Sequence, residues 1–236
     1  MVKIEYMINK EEDIANWLNF INHPITYGRN RLDDYSKEFK DSVIGKTKEE
    51  QIKVINETIK PLYTKEYIDR FEIRFKNKID KQKDEIIKRL EKIHSRKFPV
   101  EYIINKYTTF NCCPYQYKPD KDWFGIFFSK EVLEIEIELN VFVHELMHLF
   151  FHTYFDKTCM KKGLNKEQTQ DLKEAVTIII NSEFKDIVEQ EDKGYKIHRE
   201  LRNQISKIWK KDKNFDNLIN EMCEYILKHT TKHKNT

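Results

Sequence analysis

The sequence predicts an α+β protein in which helices dominate. Long charged stretches carry apolar residues at three- and four-residue spacing, which is typical of amphipathic helices. Between residues 98 and 128, β-branched and aromatic residues are enriched instead, which predicts the short strands of a small twisted sheet. The 236 residues include only 5 Gly and 5 Pro, so helix breakers are rare. Together, these three observations favour a mainly helical fold.

Residues 1–97 are predicted to form an N-terminal helical region. Helical spacing is strongest at residues 11–21, 47–59 and 65–93, and Asn22-His23-Pro24 separates the first of these helices from the second. The last stretch predicts one long amphipathic helix with Lys and Glu on its exposed side. We expect this region to be a packing arm or a helical hairpin, and it is also the surface that a protein partner would contact.

Residues 98–236 are predicted to form a core domain that ends in helices. The predicted strands are residues 100–104, 107–110 and 123–128. Ser129 follows the last strand and is a residue type that commonly caps helices. Residues 132–140 alternate Glu with Ile or Leu, a strand-like period, yet they lead without Gly or Pro into a helical pattern. The predicted C-terminal helices lie near residues 196–209 and 215–229.

Composition and charge narrow the classes of function. The 43 Lys and Arg nearly balance the 40 Asp and Glu, and the formal net charge of +3 is spread along the chain, so nucleic-acid binding is not expected. The apolar runs are too short and too charged to span a bilayer, and the first residues lack the pattern of a secretory signal. We therefore expect a cytoplasmic protein without a membrane partner. The four cysteines are too few for a disulfide scaffold.

A five-residue motif in a strongly apolar segment carries the chemistry. It reads His144-Glu145-Leu146-Met147-His148. At about 3.6 residues per turn, His144 and His148 project from one face of a helix, so both imidazoles can reach one metal ion. A catalytic zinc ion keeps three protein ligands and one open position for water. Glu145 lies beside that face, where its carboxylate can act as a general base.

The third metal ligand has to come from elsewhere in the chain. A second helix is expected over residues 165–188, with Asn165 and Gln168 at the spacing of a capping box. Glu174 enters an apolar segment of this helix beside the small Ala175, which allows another helix to approach closely. We therefore choose Glu174 as the third ligand. The alternatives that stay open are Glu167, Asp171 and His198.

The motif at 144–148, followed by Lys173-Glu174-Ala175 on a second helix, resembles the gluzincin branch of the zincin metallopeptidases. Among bacterial cytosolic members, it is similar to the small IrrE/ImmA-like peptidases, and the resemblance covers roughly residues 123–188. It implies a zincin-like catalytic core that holds Zn²⁺ through His144, His148 and Glu174. It also implies a peptide or protein substrate, hydrolysed by a metal-activated water with Glu145 as general base.

Two features of the family need counterparts in this chain. The family supplies a Tyr or His from further along the chain to stabilise the oxyanion, and Tyr195 and His198 are the compact candidates here. The alternative is that Tyr195 is a hydrophobic staple at a helix start and that His198 is an exposed histidine without a role in the site. Many gluzincins also place an Asp four residues after the ligand Glu, where this chain has Ile178. Asn181 and Asp171 are then the candidates for orienting a histidine.

The resemblance also suggests how a substrate would bind. By analogy, residues 123–128 would be a sheet-edge strand along which an extended peptide pairs before cleavage. A second hypothesis keeps the zinc but not the catalysis, and makes the protein a regulatory or partner-binding protein with a zincin fold. Glu145 argues against it, since a purely structural zinc site needs no general base.

Overall fold

A computed structural model describes residues 2–232, without the side chains of Leu133 and of residues 230–232. It is mainly helical and has a small mixed sheet, as the sequence predicts. None of the helices in this part of the chain is long and apolar enough to cross a membrane.

Most of the described chain is helical. The α-helices, in chain order, are α1 (Lys10–Asn22), α2 (Lys37–Val43), α3 (Lys48–Ile59), α4 (Lys65–His94), α5 (Lys130–Ile135), α6 (Glu138–Tyr154), α7 (Asp156–Lys161), α8 (Lys166–Val176), α9 (Ile180–Glu183), α10 (Arg199–Lys211) and α11 (Phe215–Lys232). Helices α1, α3 and α4 coincide with the three stretches predicted from apolar spacing, and α10 and α11 with the predicted C-terminal helices. Helix α8 ends earlier than predicted, because a short 3-10 helix (Thr177–Ile179) follows it.

Side-chain caps determine where several helices begin. Thr47 and Glu50 form a reciprocal capping box at the start of α3. Asn165 and Gln168 form the predicted capping box at the start of α8. Ser129 accepts a hydrogen bond at the start of α5, which confirms its predicted role. Each of these starts is therefore specified by residues within one turn of it.

In the described residues, the strands form one four-stranded sheet and one hairpin of two strands with two residues each. They are β1 (Lys3–Met7), β2 (Ile25–Thr26), β3 (Arg29–Asn30), β4 (Tyr102–Thr108), β5 (Tyr115–Tyr117) and β6 (Trp123–Ser129). The large sheet has the order β1-β4-β6-β5, in which β5 is antiparallel and the other strands are parallel. The strand β1 departs from the expected purely helical N-terminal region, and β4 is one strand where two were predicted.

The prediction that residues 123–128 form a sheet edge is wrong. Strand β6 lies inside the sheet, between β4 and β5. The turn-rich segment before it folds back, so that Tyr115 pairs with Ile126 and Tyr117 with Phe124. Beyond β5, the backbone N–H of Phe127 donates to the Pro114 carbonyl at 2.9 Å. The backbone groups of β6 that an added peptide would pair with are therefore already hydrogen-bonded within this chain.

The alternating segment 132–140 is helical. It contains the end of α5 and the start of α6, and Glu136 between them adopts a left-handed backbone conformation with φ of 62°. Glu138 is fully buried and forms ion pairs with Arg74 at 2.8 Å and with Lys78 at 2.9 Å. Despite its strand-like period, the segment therefore contains a left-handed helix end at Glu136 and a buried, ion-paired carboxylate at Glu138.

The chain divides into two compact units. The first contains residues up to Lys81 and Glu101–Val141, and the second contains Gln82–Val100 and the residues from Phe142 onward. Each unit contains residues from both sides of the predicted boundary after residue 97. Neither unit therefore begins or ends at that boundary.

The second unit contains the five-residue motif and the apolar packing around it. Leu146, Leu149 and Phe150 of α6 are fully buried, as expected for a helix that is apolar on nearly all sides. Phe150 stacks on His94 with ring centroids 4.4 Å apart. Burying each such side chain contributes about 1.5–3 kcal/mol. The part of α6 that carries the motif is therefore held firmly.

Candidate metal centre

Two imidazoles on α6 form one side of the site. His144 and His148 are one turn apart, and their ring centroids lie 4.5 Å from each other with the rings nearly perpendicular. The side chain of His148 is 2% exposed, whereas that of His144 is 24% exposed. The four-residue spacing therefore places both rings on one face, with His144 nearer to solvent.

Glu174 on α8 faces both imidazoles. Its Oε1 lies 3.4 Å from His148 Nε2, and its Oε2 lies 3.9 Å from His144 Nε2. One ligand atom from each of the three residues lies within 4.8 Å of the others. Donor atoms bound at about 2.0–2.2 Å to a single tetrahedral zinc lie roughly 3.3–3.6 Å apart. Small side-chain shifts would bring these three donors to that spacing.

The other residues considered as third ligand lie elsewhere. Glu167 is exposed at the start of α8. Asp171 and His198 pair with each other, since His198 Nε2 lies 3.0 Å from Asp171 Oδ1. Of the residues that the structure describes, His144, His148 and Glu174 form the group of potential ligands that converges on one point.

Glu145 lies beside the converging residues and is 7% exposed. Its Oε2 is buried and has no hydrogen-bond partner among the described residues. Burial raises the pKa of this carboxyl to about 7, although the neighbouring His144 opposes the shift. A buried carboxylate oxygen without a partner is costly, so the site favours a bound cation or a hydrogen-bond donor at this position.

A residue that the sequence interpretation missed, Asp192, orients His144. Asp192 Oδ2 lies 2.6 Å from His144 Nδ1, and the Asp192 side chain is 8% exposed. Burial alone would lower the pKa of His144, but the Asp192 carboxylate outweighs it and raises the pKa to about 9. With Nδ1–H donating to Asp192, the Nε2 atom of His144 is directed towards Glu174, which it approaches at 3.9 Å.

Asp192 is held by two residues from neighbouring elements. Asn181 donates to the Asp192 carbonyl at 3.0 Å and accepts from its backbone N–H at 2.7 Å. Arg202 of α10 donates to the same carbonyl at 2.5 Å and to Asp192 Oδ1 at 3.0 Å. It also donates to Thr177 Oγ1 at 2.9 Å. Asn181, a candidate for orienting histidine directly, therefore contacts Asp192 instead, and the other candidate, Asp171, pairs with His198.

Gly194 allows the segment that carries Asp192 to pass close to Arg202. Its backbone has φ of 56°, and a Cβ atom added there would lie 2.5 Å from Arg202 Nη1. The sequence Asp192-Lys193-Gly194 has the turn-forming residue types that could have pointed to this loop. Its contact with His144, however, depends on the tertiary position of Arg202.

Tyr195 precedes a short 3-10 helix (Lys196–His198) in front of α10, and His198 is the last residue of that 3-10 helix. His198 is 2% exposed, so the alternative of an exposed His at a helix start is wrong. The Tyr195 ring packs edge-on against the His198 ring at 5.8 Å between centroids. With Nε2 of His198 directed at Asp171, the pair is joined to α8, and its role in oxyanion stabilisation stays a prediction.

Lys173 is a second residue of the site that the sequence interpretation did not single out. Its side chain is 3% exposed, and its Nζ lies 2.9 Å from Glu174 Oε1. Burial alone would raise the pKa of the Glu174 carboxyl, but the facing His148 ring and the Lys173 ammonium lower it instead. Burial lowers the pKa of His148 to about 3, and Lys173 contributes to this shift. The site therefore combines an ionised Glu174 with a neutral His148.

Comparison with known proteins identified no relative. No family model matches the chain, and no curated protein or solved structure gives a significant match. The resemblance to zincin peptidases therefore rests on the motif and stays a prediction.

Proposed function

We propose that this protein is a zinc-dependent metallopeptidase of the gluzincin type with a zincin-like core. The observation that carries the proposal is the convergence of His144, His148 and Glu174 from two helices on one point. Two imidazole nitrogens and one carboxylate are a donor set that catalytic zinc sites use while keeping a fourth position open. The buried Oε2 of Glu145 beside them has no hydrogen-bond partner among the described residues, so a cation or a hydrogen-bond donor next to it would be stabilised.

A zinc ion held there would polarise a substrate carbonyl and make a water molecule more acidic. Glu145 would accept the proton of that water and transfer it to the leaving amine. Asp192 would hold the His144 ring in the tautomer that presents Nε2. Burial of Glu145 and Glu174 keeps bulk water away and strengthens these electrostatic interactions.

Peptide or protein as the substrate is part of the same proposal and comes from the resemblance to gluzincins. A cytoplasmic location and a protein partner on the N-terminal helices are further proposals from the sequence. The wrong prediction of an edge strand at residues 123–128 removes one suggested mode of peptide binding.

The proposal is tested by metal analysis and hydrolysis with two matched variants. Glu145→Gln removes the base but keeps the size of the side chain, and Glu167→Gln makes the same change at an exposed position of α8. We expect about one zinc per chain in all three proteins. Hydrolysis of a mixed peptide library should fall by about 10²–10⁴-fold in Glu145→Gln alone.

Two other outcomes would count against the proposal. If the purified protein takes up no stoichiometric zinc, the metal site itself is wrong. If wild-type protein binds zinc but cleaves neither the peptide library nor a proteome digest, the non-catalytic regulatory alternative replaces the peptidase.

A further inference from the structure

Lys173 places a buried ammonium group on the carboxylate that faces both histidines. Adjacent residues on a helix normally point in different directions, yet Lys173 Nζ reaches back to Glu174 Oε1 at 2.9 Å. Lysine is almost never fully buried unless it is paired. The side chain of Lys173 is 3% exposed, and the Glu174 carboxylate, which is 6% exposed, is a buried partner for its charge.

The oxygen that Lys173 contacts is also the one that faces a histidine. Glu174 Oε1 lies 2.9 Å from Lys173 Nζ and 3.4 Å from His148 Nε2, whereas Oε2 faces His144 at 3.9 Å. An ammonium donor on Oε1 uses part of the acceptor capacity of that atom. It thereby favours ligation of a metal ion through one carboxylate oxygen instead of two.

The charges around the site show a second effect of Lys173. Glu145, Glu174 and Asp192 are the acidic groups, and Lys173 and Arg202 are the cationic ones. A histidine must be neutral to ligate a metal ion. With neutral imidazoles and ionised carboxylates, these groups carry one net negative charge, and a bound divalent cation would change the net charge to plus one. Without Lys173, the same cation would be neutralised, because the site would then carry two negative charges. The Lys173 ammonium therefore opposes metal binding electrostatically.

We propose that Lys173 is a positioning residue that holds Glu174 as a one-oxygen ligand and whose charge keeps the metal ion weakly bound and strongly electrophilic. This inference rests on the metal site of the proposed function. Removing an ordinary residue that supports a metal ligand weakens metal binding. Removing the charge of Lys173 should have the opposite effect and strengthen metal binding.

Three substitutions separate the charge of Lys173 from its hydrogen bond. Lys173→Met removes both, Lys173→Gln keeps an N–H donor without charge, and Lys173→Arg keeps both. Zinc affinity is measured by competition with a chromophoric chelator, and coordination by the visible absorption of the Co²⁺-loaded proteins. We expect Lys173→Met and Lys173→Gln to bind zinc at least about tenfold more tightly than wild type. Lys173→Arg should stay within about threefold of it.

The cobalt spectra should separate the variants differently. Lys173→Met should show the weaker absorption of a higher coordination number, because both oxygens of Glu174 can then ligate. Lys173→Gln and Lys173→Arg should keep the wild-type spectrum. Unchanged or weaker zinc binding in folded Lys173→Met and Lys173→Gln would overturn the inference, as would a wild-type cobalt spectrum typical of a two-oxygen Glu174.

If Lys173→Met does not fold, the affinity of Lys173→Gln decides, and if neither neutral variant folds, the cobalt spectra of wild type and Lys173→Arg decide. Wild-type protein that binds neither zinc nor cobalt contradicts the proposed function instead. Failure of the inference and failure of the proposed function are therefore distinguishable.

Discussion

The Nδ1 atom of His144 lies 2.6 Å from Oδ2 of Asp192, and Arg202 approaches the other oxygen of that carboxylate at 3.0 Å. A histidine on α6 is thereby connected to α10 through a residue that belongs to neither helix. A carboxylate that accepts the N–H of a ligand histidine fixes the ring orientation and increases the basicity of the other nitrogen. The fourth residue after Glu174 is Ile178, which has no carboxylate, and Asp192 supplies the carboxylate that contacts His144.

Replacing Asp192 by Asn should weaken metal binding. The amide is similar in size but carries no charge, so it no longer selects the tautomer with Nε2 directed at the metal position. We expect zinc affinity to fall by about 10–100-fold, measured by chelator competition. Glu191→Gln, at the exposed neighbouring position, is the control and should leave the affinity unchanged. Equal affinities of both variants would show that Asp192 does not orient His144.

Replacing Arg202 by Met should destabilise the fold as well as the metal site. The Arg202 and Asp192 side chains are 5% and 8% exposed, so the substitution leaves a buried carboxylate with one partner fewer. Removing one partner of a buried ion pair costs about 3–5 kcal/mol. Urea unfolding of the metal-free protein should show a loss of this order, and Arg199→Met, at an exposed position of the same helix, should show almost none.

Replacing Gly194 by Ala tests the close approach of the Asp192 segment to Arg202. The added Cβ would lie 2.5 Å from Arg202 Nη1, whereas at Gly45 a Cβ meets nothing within 4 Å. Both glycines have positive φ, so each Ala variant carries the backbone cost of about 1–2 kcal/mol. Gly194→Ala should lose more unfolding free energy than Gly45→Ala, and it alone should weaken zinc binding. Equal losses with unchanged affinity would contradict the role of the loop.

The helices are predictable from the sequence because their determinants are local. Apolar spacing predicts α3 and α4, and capping residues within one turn determine where α3 and α8 begin. The strand β1 is not predictable in this way, since it forms by pairing with β4, far along the chain. The internal position of β6 likewise depends on the three-residue strand β5.

The candidate site is predictable to the extent that it is contained in one helix turn. His144, Glu145 and His148 follow from their spacing on α6, and Glu174 follows from its place at the start of an apolar segment. Asp192 does not, because it lies in an irregular segment whose path depends on distant side chains. Lys173 does not either, since a lysine on a helix is ordinarily solvated, and its burial becomes apparent only from the packing around α8.

His94 should make stability depend on pH in the acidic range. It is fully buried among aromatic rings, its Nδ1 donates to the Leu90 carbonyl at 2.8 Å, and burial lowers its pKa from 6.5 to about 3. Below about pH 6.5 the unfolded chain binds a proton that the folded protein excludes, so the contribution of His94 is complete above this pH and is lost as pH falls. When the pH is lowered from about 7.5 to 5, the free energy of unfolding in urea should fall by about 2 kcal/mol more for wild type than for His94→Phe.

The control for this prediction is Phe150→Leu, which disturbs the same packing without titrating and should lower the free energy of unfolding equally at both pH values. Parallel pH profiles for wild type and His94→Phe would contradict the buried neutral state of His94.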